Sequence, residues 1–149
     1  MANTVILKNY LNIRNEYEAA AEVYPGMLLE LTSAGKVQAH DTADDAVCMV
    51  AVEDELQGNG MDDAYSSGDQ VQCWVPQVGD EVYAILVDGQ DISTADFLQS
   101  NGDGKLKADD TGVGCFQALE DKDLSGSSGE ESSGPLGYDK RIKVRVVRA

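Results

Sequence analysis

The sequence predicts a mainly β protein: a compact barrel or sandwich of about eight short strands behind an extended N-terminal arm. Three observations predict it. Short apolar or alternating runs are separated by closely spaced turn signals. No long segment keeps a helical period. Of the 149 residues, 42% are hydrophobic, yet aromatics are few: Trp74, Phe97, Phe116 and six tyrosines. One domain with a core of Val, Leu, Ile and Ala follows from that length and composition.

Residues 1–22 stand apart. Thr4-Val5-Ile6-Leu7 can form a short strand, but Asn9, Asn12 and Asn15 with mixed charges break any apolar period after it. The segment reads as an arm with little intrinsic structure, or else as an integral first strand of the body. The body, residues 23–149, opens with a turn at Pro25-Gly26. Met27-Leu28-Leu29-Glu30-Leu31 and Lys36-Val37-Gln38-Ala39-His40 make a strand pair around Ser33-Ala34-Gly35. Ala46-Val47-Cys48-Met49-Val50-Ala51-Val52 is a continuous apolar run, expected as a central strand. After a Gly, Asp and Ser loop come strands at Gln70–Val75 and Glu81–Val87, joined through Val78-Gly79-Asp80. Asn101-Gly102-Asp103-Gly104 is a hairpin signal between Phe97-Leu98-Gln99 and Lys105-Leu106-Lys107. This hairpin echoes the one around Gly35. A strand follows at Val113–Leu119, then a flexible acidic Gly/Ser loop at 120–137. The last strand, Arg141-Ile142-Lys143-Val144-Arg145-Val146, alternates basic and apolar residues.

Net charge is −16, from 27 acidic and 11 basic residues. Such a surface repels nucleic acid, whose binding rests on Lys and Arg neutralising phosphates. It is equally unsuited to an anionic membrane, and no run of about 18 apolar residues is present to span one. The balance favours solubility and docking onto a positive partner. Cys48, Cys73 and Cys115 are widely spaced in apolar runs, which suits buried free thiols made in a reducing cytoplasm. The N-terminus lacks a signal-peptide pattern, so the chain is expected to be made in a cell's cytoplasm and to leave it only within a larger particle.

Catalytic signals are weak. His40 is the one histidine and reads as a surface residue at a strand end. G-x-S-x-G, a P-loop and a dinucleotide fingerprint are absent. Asn101, Asp103 and Asp110 partly match a calcium loop, but Gln99 stands where Asp belongs and Asp110 where Glu belongs, so a plain β-turn is the stronger reading. No cofactor, no resident metal and no enzymatic activity are expected. The carboxylates from Asp41 to Asp63 read as a solvated rim rather than a glycosidase pair. Arg141, Lys143 and Arg145 share one face of the last strand; they either pair with acidic neighbours across the sheet or form an interface.

Several stretches resemble capsid decoration, or cement, proteins encoded beside tailed-phage major capsid genes. They are Tyr24-Pro25-Gly26-Met27-Leu28-Leu29-Glu30-Leu31 with Gly35-Lys36-Val37, and Tyr65-Ser66-Ser67-Gly68-Asp69-Gln70-Val71 with Val78-Gly79-Asp80-Glu81-Val82-Tyr83-Ala84. The hairpin from Asp96 to Leu106 and the closing Arg141–Val146 run join them. The likeness covers roughly residues 24–148. It implies a β-barrel-like body, homotrimers on the outside of an expanded head, contact with the major capsid protein, and an arm (here residues 1–22) that reaches a neighbour. Val5, Ile6, Leu7 and Tyr10 of that arm join Arg141, Lys143 and Arg145 as interface candidates. A soluble module binding glycan or calcium, or a tail or neck component, is the alternative.

Overall fold

A computed structural model describes residues 3–9, 12–43, 49–112, 114–126 and 140–148. The protein is mainly β. Its largest sheet has six strands, in the order β1 (Ile6–Lys8), β7 (Glu81–Ile85), β13 (Arg141–Val146), β11 (Phe116–Ala118), β9 (Phe97–Ser100) and β10 (Leu106–Ala108). Each neighbouring pair is antiparallel. A second sheet orders β2 (Ile13–Glu18), β6 (Gln70–Val75) and β5 (Val50–Ala51). Two pairs complete the set: β3 (Leu29–Leu31) with β4 (Val37–Ala39), and β8 (Asp91–Ile92) with β12 (Lys122–Asp123). The sheets pack in a sandwich-like arrangement, and among the described residues they form no closed barrel.

Alternation sets the packing. On β13, Ile142, Val144 and Val146 are buried. Ile142 lies opposite Ala84, and Val144 opposite both Val82 and Ala118. Phe116 sits between Val146 and Leu98. This apolar face meets Trp74 and Val50 of the second sheet in the main core. The neighbours of Trp74 on β6 point the other way: Val71 and Cys73 join Ala51, Leu29, Val37 and Tyr65 in a smaller core. The second sheet is therefore covered on both faces, which explains why β6 buries two consecutive residues, Cys73 and Trp74.

The two echoing segments are both hairpins, β3–β4 and β9–β10. They lie against each other: the Leu28 N–H donates to the Gly104 carbonyl, and the Gly104 N–H to that of His40. Three further turns share one device. In Ser66–Asp69, Gln77–Asp80 and Ser93–Asp96 the closing Asp donates its N–H to the first residue's carbonyl. Its carboxylate accepts that residue's N–H at 2.8 Å. The third position has positive φ: Gly68 (94°), Gly79 (99°) and Ala95 (80°). A side chain in that region carries strain that glycine avoids. Ala95→Gly is therefore expected to raise stability by about 1 kcal/mol, less the entropy gained by the unfolded chain; a thermal melt reads it, and a lower midpoint would refute it.

The N-terminal segment differs from the expected arm. Val5 is fully buried in the main core, with Ile6 and Leu7 packed against it. The Val5 carbonyl accepts from Tyr83, and its N–H donates to Glu53 Oε2 at 3.1 Å. β2 pairs with β6 over its whole length. Over the described residues, then, this segment is part of both sheets. Backbone pairing holds β2 despite its largely exposed side chains, which is why apolar periodicity did not reveal it. The loop expected at 120–137 likewise begins with β12, and Leu124 is buried in the main core. Residues 127–137 of that loop, and 46–48 of the expected central strand, lie outside the described residues.

Candidate interface

Arg141, expected at an interface or pairing across the sheet with acidic neighbours, is interior. It is fully buried, and its guanidinium donates to the carbonyls of Pro25 at 2.8 Å and Met61 at 2.9 Å. It thereby pins two loops that the chain places far apart. Gly26 makes room for it, since a Cβ there would collide with Arg141 Nη1. Val5, also expected at an interface, is interior as well: a side chain sealed in the core meets no partner. Lys143 is half-buried, and its N–H donates to Glu120 Oε1 at 3.1 Å. Arg145 is exposed and lies 3.9 Å from Glu81, which also lies 3.6 Å from Lys8. Glu81 thus links β1, β7 and β13 at one level of the sheet. Tyr10 lies outside the described residues.

The weak metal candidates have other tasks. Asp103 Oδ1 accepts the Lys105 N–H, closing the hairpin turn that begins at Asn101. Asp110 accepts Gln99 Nε2 at 2.7 Å and lies 3.9 Å from Lys107. Among the described residues no three His, Cys, Asp or Glu side chains converge.

His40 is buried, contrary to the expected surface position, with Nδ1 2.8 Å from Ser100 Oγ. A Ser at the end of β9 gave no sequence signal of that contact. Cys73 and Cys115 are buried, while Cys48 lies outside the described residues. Burial pushes the Cys73 thiol up to about 12, against a hydrogen bond from Tyr17, so it holds its proton at neutral pH. Burial also pushes the Tyr65 phenol well above its usual value, against the Gln72 N–H. Two open clefts, of about 370 and 460 Å³, flank the 3-10 turn Glu55–Gln57. Arg14 is the one basic residue lining either of them. Their remaining polar groups are carboxylates and amides, with the Tyr65 phenol in one of them.

Asp109 organises the loop after β10. Burial alone would raise its carboxyl, but N–H groups of Gly112, Thr111 and Gly114, with the Arg148 charge, hold it below the ordinary range. The bonds are 2.8, 3.0 and 3.1 Å, and Arg148 is 3.5 Å away. A lowered folded pKa means stability present above the unfolded value and lost as pH falls through the folded one. Asp109→Asn is therefore expected to lower the melting temperature at pH 7, with the gap to wild type narrowing below about pH 4. A gap that stays constant to pH 2.5 (about one unit below the usual carboxylate value) would contradict this.

What the surface offers a partner is edges and scattered apolar side chains. Leu56 is 88% exposed, and Val78, Leu31, Phe97 and Ile13 are also exposed. Arg148 lies over the Phe97 ring, 5.5 Å from its centroid. β2 is an outer strand: β6 fills one side, and Ile13 to Glu16 are exposed. The sequence reading missed this edge because it assigned no strand there.

No family model matches the sequence, and no curated protein matches it. Among solved structures, the fold is similar to that of the head fiber gp8.5 N base in bacteriophage phi29. The TM-score is 0.58 at 14% identity, covering 93% of this chain and 97% of that chain. At that identity the likeness is one of fold.

Proposed function

We propose that this chain is a virion structural protein that binds the outside of a mature phage head and stabilises it by bridging neighbouring major capsid subunits. The observation that carries this is the fold shared, nearly end to end, with a phage head fiber base. Three features support it. A net charge of −16 keeps many copies soluble until they meet a complementary surface. Cys73, Tyr65 and His40 are buried in packing roles, which suits a non-enzymatic part. An open sheet edge offers strand addition to a neighbour. In this proposal the protein is made in the host cytoplasm, assembles as a homo-oligomer, with a trimer favoured, and sits on the capsid exterior. It needs no cofactor and contacts neither nucleic acid nor membrane. Binding to a state found only in the expanded head stabilises that state by mass action.

Co-sedimentation with undecorated mature heads tests it. Saturable binding at a fixed copy number per capsid subunit, with slower heat release of DNA, is the expected result. A folded protein that stays in the supernatant would remove the head assignment and favour a neck or tail component.

A further inference from the structure

Four strand edges of the molecule are already in use. The far side of β5 meets Met27 and Leu28, and that of β10 is met by Leu86 and Val87. The outer side of β4 bridges Ala19, and β3 donates its Leu29 N–H to the Met49 carbonyl. β1 is three residues long and irregular in register. That leaves β2 as the longest open edge among the described strands.

The phase of its backbone is fixed by the residues that follow. The Ala19 N–H donates inward to Asp69, and the Ala20 N–H donates to Val37 on the opposite side. Alternation then turns the N–H and C=O of Arg14 and Glu16 outward. β4 closes the edge at Ala19, so the open run ends near Tyr17.

We propose that this edge pairs with the same edge of a second copy, antiparallel, about a two-fold axis at Asn15. The register follows from charge. A pairing in phase can be centred on Arg14, Asn15 or Glu16. Centring on Arg14 sets arginine against arginine, and centring on Glu16 sets glutamate against glutamate. Centring on Asn15 sets Arg14 against the other copy's Glu16 twice over, and Ile13 against Tyr17 twice over. Opposite charges and aromatic–branched pairs directly across a ladder are favourable, and like charges are not. Charges on an edge strand ordinarily block promiscuous pairing; here the same charges admit one register. The result is a continuous six-stranded sheet across the axis, an isologous contact. It stands independently of the head assignment and is compatible with a separate three-fold contact.

Sedimentation equilibrium on the full chain tests it. Arg14→Glu and Glu16→Arg singly are each expected to weaken self-association at least about ten-fold, and the double exchange to restore it. Alongside, Asn15→Cys is expected to cross-link to itself under mild oxidation, since facing residues there lie about 4.5 Å apart. Ile13→Cys and wild type are expected not to. Single reversals that leave association unchanged would overturn the proposal, as would cross-linking at Asn15→Cys no greater than at Ile13→Cys. Head binding is scored on the same variants, so loss of one contact is distinguished from loss of the other.

Discussion

Replacing Arg141 with methionine is expected to cost about 3–5 kcal/mol of folding stability. Apolar replacement of a buried ion is harmless when its partner is replaced too. Here its partners include the backbone carbonyls of Pro25 and Met61, which no side-chain change removes. Each is left buried without a donor, at about 1–3 kcal/mol, and β13 loses its tie to two distant loops. Arg141→Lys keeps the charge but donates from a single nitrogen, where Arg141 reaches the two carbonyls from Nη1 and Nη2, so about half the loss is expected to remain. Trp74 is the sole tryptophan and is fully buried, so its emission reports unfolding in urea. A methionine variant within about 1 kcal/mol of wild type would show that the two loops are held by something else.

Truncating Trp74 to alanine is expected to cost a similar amount, about 3–5 kcal/mol, from lost burial and the cavity left between the two main sheets. Trp74→Phe separates two contributions. The indole Nε1 is buried with no hydrogen-bond partner among the described residues, so phenylalanine removes an unsatisfied donor while keeping most of the ring. The phenylalanine variant is expected to lose at most about half as much as alanine. Circular dichroism in urea reads both. Equal losses would mean that the shape of the ring, and not its burial, fixes the site.

Deletion of residues 1–22 connects these energetics to the N-terminal segment. A detachable arm would leave the body unaffected. With Val5 in the core and β2 along β6, the truncated chain is expected to be destabilised before any question of head binding arises.

What was legible in the sequence was whatever alternates. Arg141 to Val146 reads as a strand because its period of two is clean, and the structure places it there. Glu81–Ile85 and the hairpin about Asn101–Gly104 were legible for the same local reasons. β2 was not: Ile13, Arg14, Asn15 and Glu16 are all exposed, and a strand held by main-chain pairing leaves no apolar trace. The two-residue strands β8 and β12 are too short to carry a period. Arg141 looked like Lys143 and Arg145 because the three share a face. What separates them is the loop at Pro25 and the one at Met61 folding over one end of that face, a fact of tertiary packing. The burial of His40 is of the same kind, set by Ser100 across the hairpin pair.

The position of β13 bears on the order in which the protein can be made. It is flanked by β7 and β11 inside the six-stranded sheet, yet it comes after all of that sheet's other strands along the chain. Without it β7 and β11 have no common neighbour, and the sheet is two fragments: β1 with β7, and β11 with β9 and β10. A ribosome therefore releases every other strand of this sheet before the sheet can close. Folding waits for the last strand, and pairings this distant in sequence are slow to find. A nascent chain arrested before Arg141 presents two open edges at the gap that β13 fills, so premature termination there yields an aggregation-prone product rather than a smaller working one.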